Sequence, residues 1–222
     1  CEVIERDATT LWHLLPAAAQ AETRVDLDTV DDPGCRGLLE RYAAAGVDVA
    51  VWESTSDVGV PAFMCLITEA EAGAGPALHS AGGMGCHPAR AVALARALTE
   101  AAQSRLTVIS GSRDDIFRHD FDASRSPENL RRDREVIRGE TGGRDFADGP
   151  GRVLDDIDGD LTWILGRLRA VGIEQVICFD LTRPEFNIPV ARVLVPGLEG
   201  LATAAGYAPG PRAHARARQE AS

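Results

Sequence analysis

Two short segments hold residues whose types and spacing suit phosphate and cation chemistry. In the first, CEVIERDA at positions 1–8, Glu2 and Glu5 stand three apart and Glu2 and Arg6 four apart. On a helix that spacing puts all three on one face and turns Val3, Ile4 and Leu11 toward a core. Two carboxylates on one helical face suit a hard cation. Magnesium in phosphoryl-transfer sites takes one or two carboxylates with phosphate oxygens and water, and an adjacent arginine neutralises phosphate charge. The same spacing also describes a solvated acidic helix end.

The second segment, positions 82–115, reads GGMGCHPARAVALARALTEAAQSRLTVISGSRDD. It is expected to join a glycine-rich turn to a long helix. Pro88 suits a first helical turn, and no further Gly or Pro occurs from Ala89 to Leu106. Arg96, Glu100 and Gln103 fall on one stripe of that helix, and Leu94, Leu98 and Ala101 on another. Arg96 and Glu100 are readable as an ordinary i,i+4 pair. Alternatively, Gly82, Gly83 and Gly85 let backbone approach a phosphate while Arg96 and Glu100 face nucleotide and metal. The glycines match no standard phosphate loop, because no Lys-Ser or Lys-Thr follows them.

Periodicity places these segments in a mixed α/β chain. Helices are expected over Glu2–Leu15, Gly34–Ala45, Ala89–Ser104, Glu128–Ile137 and Asp160–Val171. Strands Asp48–Glu53 and Pro61–Thr68 form a hairpin around Ser54–Gly59; Glu174–Asp180 reads as a buried strand and Pro189–Val195 as another. The polar stretch from Ser110 to Gly151 reads as loop or a mobile cover around the short helix. Within it, Arg113, Asp114 and Asp115 form a solvated turn or part of a lid. Asp155, Asp156, Asp158 and Asp160 lack the central Gly and closing Glu of a calcium loop and are expected to cap the following helix.

Composition narrows the chemistry. The chain has 222 residues, 45% of them hydrophobic, enough for a substantial core in one or two domains. A net charge of −11 argues against a nucleic-acid partner. All 23 basic residues are Arg, so Schiff-base chemistry and a phosphate-loop lysine are excluded within these residues. No run approaches the roughly 18 apolar residues of a membrane span, and no signal peptide is visible, which points to a cytoplasmic chain without a membrane partner. Cys1, Cys35, Cys65, Cys86 and Cys178 show no zinc spacing. Cys86-His87 reads as a packing residue beside a helix cap, and His13, His79, His119 and His214 receive no catalytic role.

The segments CEVIERDA, ALARALTEAAQSR, ISGSRDD and VARVLVPGLEG occur in an order that resembles the YcaO family. The resemblance runs from Cys1 to about Gly200 and is greatest to its thioamide-forming branch, which is often accompanied by a TfuA-type partner. It implies an ATP- and Mg-dependent enzyme that activates a peptide backbone amide in a peptide or protein substrate. Sulfide, or a Cys, Ser or Thr side chain, adds to the carbonyl; ATP phosphorylates the resulting oxygen, and phosphate leaves. By position in the motifs, Glu2, Glu5 and Arg6 belong to the magnesium and ATP site, with Glu2 and Glu5 as metal ligands. Arg96, Glu100, Gln103 and Arg105 are implied near the nucleotide.

Because Cys1 falls inside what reads as a helix already under way, residues 1–200 are expected to be the C-terminal part of a YcaO-like domain of mixed α+β fold, N-terminally truncated. Residues 201–222 are expected to form a flexible tail, and a homodimer is one expected assembly. Azoline-forming relatives commonly end in a P-x-P-x-P segment, whereas here Pro209 and Pro211 are followed by an Arg/Ala-rich extension. That departure favours thioamidation over an azoline-forming cyclodehydratase. A non-catalytic peptide-binding scaffold is the reading from a different class.

Overall fold

The computed structural model describes residues 1–70, 80–111, 126–139 and 143–220. His79, His119 and the Arg113–Asp115 turn lie outside the described residues. Helix α1 spans Glu2–His13, α2 Ala17–Glu22, α3 Pro33–Ala44, α4 Arg90–Ser110, α5 Pro127–Arg138, α6 Ile157–Ala170 and α7 Pro211–Glu220. Strands β1 (Val47–Glu53), β2 (Ala62–Glu69) and β3 (Ala81–Cys86) form an antiparallel sheet in that order, and β4 (Ile177–Asp180) pairs antiparallel with β5 (Ala191–Leu194). The fold is mixed α/β, as expected, and the Ser54–Gly59 turn closes the β1–β2 hairpin in the register Glu53↔Phe63.

The pleat divides the sheet's side chains between two sides. Val51, Phe63, Cys65, Ile67 and Ala81 meet Ala93, Leu94, Ala97, Leu98 and Ala101 of α4 in the main core. On the other side Ala62 and Cys86 join Ile4 and Ala8 of α1 and Leu168 of α6 in a second core, and Ala50 and Trp52 pack with Ile137 of α5. Helices α1 and α4 thus converge on β3 from opposite sides of the sheet.

The glycines of β3 correct the expected glycine-rich turn, and with it the alternative that this turn approaches a phosphate. Gly82, Gly83 and Gly85 are strand residues paired with β2. A Cβ on Gly83 would lie 2.3 Å from the Ala97 carbonyl oxygen and from the Ala101 nitrogen, and one on Gly85 would lie 2.1 Å from the Ala93 carbonyl oxygen. Their lack of a side chain lets the Ala93–Ala97–Ala101 stripe of α4 press onto the strand. Close helix packing, and not anion binding, accounts for these two glycines.

Two other expectations meet a different outcome. The strand expected to be buried at Glu174–Asp180 is shorter, and every residue of β4 and β5 is exposed. Its apolar run has no covering layer among the described residues. Within 201–222, where composition suggests a flexible tail, residues 211–220 are helical and Ala213 is buried. The acidic cluster does cap α6: the Asp156 carboxylate accepts from the Gly159 N–H at 2.6 Å. No helix among the described residues is long and apolar enough to cross a membrane.

The start of α4 is fixed by a buried charge cluster. Glu53, with a side chain only 1% exposed, takes both arms of Arg90 at 2.8 and 3.1 Å and the Arg144 Nε at 2.9 Å. Arg90 also lies over the Phe63 and Phe146 rings, 5.1 and 5.2 Å from their centroids. Removing one member of a buried pair leaves an uncompensated charge. Glu53→Gln is therefore expected to cost about 3–5 kcal/mol, seen as a lower urea midpoint at unchanged slope.

Candidate functional site

Helix α1 brings its acidic face to the end of β3 because Ile4 and Ala8, on its apolar face, are buried in the second core. Helix α4 brings Arg96 to the same place because its small-residue stripe is pressed onto Gly83 and Gly85. The Arg96 guanidinium stands 3.6 Å from a Glu2 carboxylate oxygen and 3.7 Å from Glu5 Oε2. One turn further along α4, Glu100 Oε1 accepts from the Met84 N–H at 3.2 Å. Arg6 donates to Glu2 across one turn of α1 at 3.3 Å.

Five of the seven residues singled out in the sequence, Glu2, Glu5, Arg6, Arg96 and Glu100, thus meet where α1, α4 and β3 come together. The other two make no contact with the cluster that the structure shows. Gln103 is exposed on the next turn of α4. Arg105, nine residues beyond Arg96 and so about half a turn away around the helix, binds Glu69 at the end of β2 at 3.0 Å. That guanidinium is committed to a partly buried ion pair away from the acidic cluster.

Electrostatics at the cluster are strained by design of the burial. Glu5 has a side chain 3% exposed. Burial, with repulsion from Glu2 and Glu100, pushes its carboxyl up to about 7 against the pull of Arg96 and the Cys86 backbone. Burial likewise raises Glu100, opposed by the Met84 N–H. Glu5 Oε2 is buried and has no hydrogen-bond partner. An orphaned anionic oxygen among like charges is what a dication would satisfy. No group of three or more His, Cys, Asp or Glu stands at metal-holding spacing among the described residues. Glu2 and Glu5 supply two carboxylates, so this donor set fits magnesium that keeps water and phosphate oxygens as its remaining ligands.

A cavity of about 320 Å³ runs from Glu100 along Met84, Ser104, Thr9, Thr10 and His13. Another, about 450 Å³, lies beside Trp12, Glu53, Asp57 and Arg212 and touches none of the seven residues. Cys86 and His87 prove structural. Cys86 is fully buried, and burial pushes its thiol up to about 12. His87 Nδ1 accepts from the Ala89 N–H at 3.0 Å, at the helix start. Sequence reasoning missed the backbone amides of Cys86 and Met84 as site groups, since amides carry no sequence signal. It also missed Asp7 and Arg212, which are 205 positions apart.

Comparison with known proteins places these residues in context. A family profile described as YcaO cyclodehydratase, ATP- and Mg2+-binding, matches residues 1–199. The protein of the tfuA 3' region of Rhizobium leguminosarum bv. trifolii is 35% identical over 202 residues, covering 90% of this chain and 48% of that protein. Among solved structures, a heterocyclase in complex with substrate and cofactor superposes with a TM-score of 0.68 at 26% identity, over 90% of this chain and 26% of the other. The YcaO structure from Methanopyrus kandleri bound with AMPPCP and Mg2+ shares the fold, with a TM-score of 0.65 at 22% identity over 89% of this chain and 50% of the other. The chain spans about half the length of the curated relatives it matches.

Proposed function

The chain belongs to the YcaO family, and on that premise we propose that it serves the ATP-dependent activation of a peptide backbone amide, with a thioamide as the product. The observation that carries the proposal is the convergence of Glu2 and Glu5 with Arg96 and Glu100 around a buried carboxylate oxygen that has no hydrogen bond, with Arg96 3.7 Å away. In this reading Glu2 and Glu5 hold Mg2+, and Arg96 and Arg6 neutralise and orient phosphate oxygens. Glu100, fixed by the Met84 amide, keeps that end of the site acidic. Bound Mg-ATP supplies the phosphoryl group that turns the amide oxygen into a leaving group.

One observation supports sulfur as the incoming atom. The Rhizobium relative lies in a tfuA 3' region, which supports a TfuA-type partner here. The likeness to a heterocyclase supports the second reading, an azoline-forming cyclodehydratase.

The test is calorimetric titration of Mg-ATP into the protein at its full natural length and into its Glu2→Ala/Glu5→Ala form, followed by peptide mass analysis with and without sulfide. Binding that disappears in the double variant is expected. A product in which sulfur replaces oxygen, formed only with sulfide, is the expected outcome; loss of water from a Cys, Ser or Thr peptide without sulfide would establish the azoline reading instead. A protein that ignores Mg-ATP would be the non-catalytic scaffold.

A further inference from the structure

Asp7 sits two residues beyond Glu5 on α1, about 160° round the helix from it, and faces away from the acidic cluster. Its carboxylate is fully buried and saturated with donors. Oδ1 accepts from the Glu199 N–H and Arg212 Nε, both at 2.9 Å, and Oδ2 from Arg212 Nη2 at 3.0 Å. Arg212 also binds Asp57, in the β1–β2 turn, at 3.1 Å through Nη1. Arg212 is in turn held at the first turn of α7 by Glu199, whose carboxylate accepts from the Gly210 and Ala213 amides at 2.9 and 2.8 Å and from the Tyr207 hydroxyl at 3.0 Å. One turn along α1, Thr10 donates to the Gly200 carbonyl at 2.7 Å and accepts from the Ala202 amide at 2.9 Å. Residues 199–213 therefore clamp the side of α1 that lies opposite its metal-facing side.

The clamp opposes a force that the site itself creates. Glu2, Glu5 and Glu100 are gathered around Arg96, with Arg6 pairing only the exposed Glu2, so like-charge repulsion and the desolvation of Glu5 both push α1 off the sheet. We propose that Arg212 is a positioning residue for the cation site: through Asp7 it holds α1 in place, so that Glu5 faces Arg96 and Glu100 before the cation arrives. The proposal rests on the reading of Glu2 and Glu5 as the Mg2+ pair. Preorganised ligands spare the cation the work of ordering them, and misplacement by about 1 Å costs on the order of a hundredfold in an active site.

The experiment uses the protein at its full natural length, with parent, Arg212→Ala, Arg212→Lys and Glu5→Gln forms. The Mg2+ requirement, read both as the concentration that half-saturates ATP turnover and calorimetrically as the concentration that half-saturates binding of a non-hydrolysable ATP analogue, is measured beside the half-saturating peptide concentration. Arg212→Ala is expected to raise the former about tenfold or more and to leave the latter unchanged. Arg212→Lys, which keeps the charge but loses the two-point fork, is expected to fall between. If Arg212→Ala does not fold, Arg212→Lys carries the test, with a rise in the Mg2+ requirement alone as the supporting result. An unchanged Mg2+ requirement in the folded variants would overturn the proposal, and so would an equal loss for Mg2+ and peptide, which marks a merely structural role. Loss of Mg2+ dependence in Glu5→Gln upholds the metal reading whatever Arg212 shows. A Glu5→Gln form with the parent's Mg2+ dependence would overturn that reading, and this proposal with it.

Discussion

Glu5→Gln is expected to abolish Mg2+-dependent ATP turnover, by a factor of about 10³, while leaving the fold as stable as before or more so. The two effects have one cause. Glu5 is a buried carboxylate beside Glu2 and Glu100, and its ordinary value near 4.5 is raised to about 7. Between these values the folded chain retains a proton that the unfolded chain has released. The favourable contribution is thus complete below about 4.5 and is lost as pH rises through about 7, by up to about 3 kcal/mol. Glutamine keeps the shape without the charge, so the decline should vanish in Glu5→Gln. Urea unfolding of parent and variant at pH 5 and pH 8 without Mg2+ reads this directly. A parent that is no less stable at pH 8 than the variant, relative to pH 5, would contradict the picture of an uncompensated buried acid. In the parent at pH 8, Mg2+ should restore stability, because the cation binds the ionised carboxylate that predominates there in the folded chain.

Gly85→Ala is expected to destabilise the fold by about 3 kcal/mol or more. The added methyl would meet the Ala93 carbonyl oxygen at 2.1 Å, the Ala97 nitrogen at 2.6 Å and the Arg96 Cβ at 2.8 Å. Two of these are helix backbone, which has no rotamer by which to move aside, so either α4 lifts or β3 yields. Arg96 rides on the same turn, so any folded Gly85→Ala protein should also bind ATP more weakly. Gly82→Ala is the internal control. Its nearest obstacle is the Cys65 carbonyl oxygen at 3.7 Å, an ordinary contact, and its stability should stay within about 1 kcal/mol of the parent. Thermal unfolding of the two variants side by side separates a packing clash from a general intolerance of side chains in β3.

The grouping of Glu2, Glu5 and Arg6, and of Arg96 with Glu100, was legible from spacing, because a helix fixes which residues share a face whatever it packs against. The β1–β2 hairpin and α6 with its Asp156 cap were legible for the same reason: alternation and capping are local. The role of the β3 glycines was not. A glycine-rich run looks alike as a turn or as a strand, and what decides is the Ala93–Ala97–Ala101 stripe of a helix that packs onto it. Arg105 shows the same limit, since its partner Glu69 lies 36 positions away on β2. The exposure of Ile177–Asp180 likewise depends on which layers surround it and not on its own apolar run. Sequence by itself thus determined the family resemblance and the faces that carry carboxylates and arginines. Tertiary structure alone decided which faces meet, how deeply Glu5 is buried, and that Arg212 closes on Asp7 from 205 positions away. Helical periodicity is set by the backbone within a few residues, whereas burial and ion pairing arise only when distant segments exclude water together.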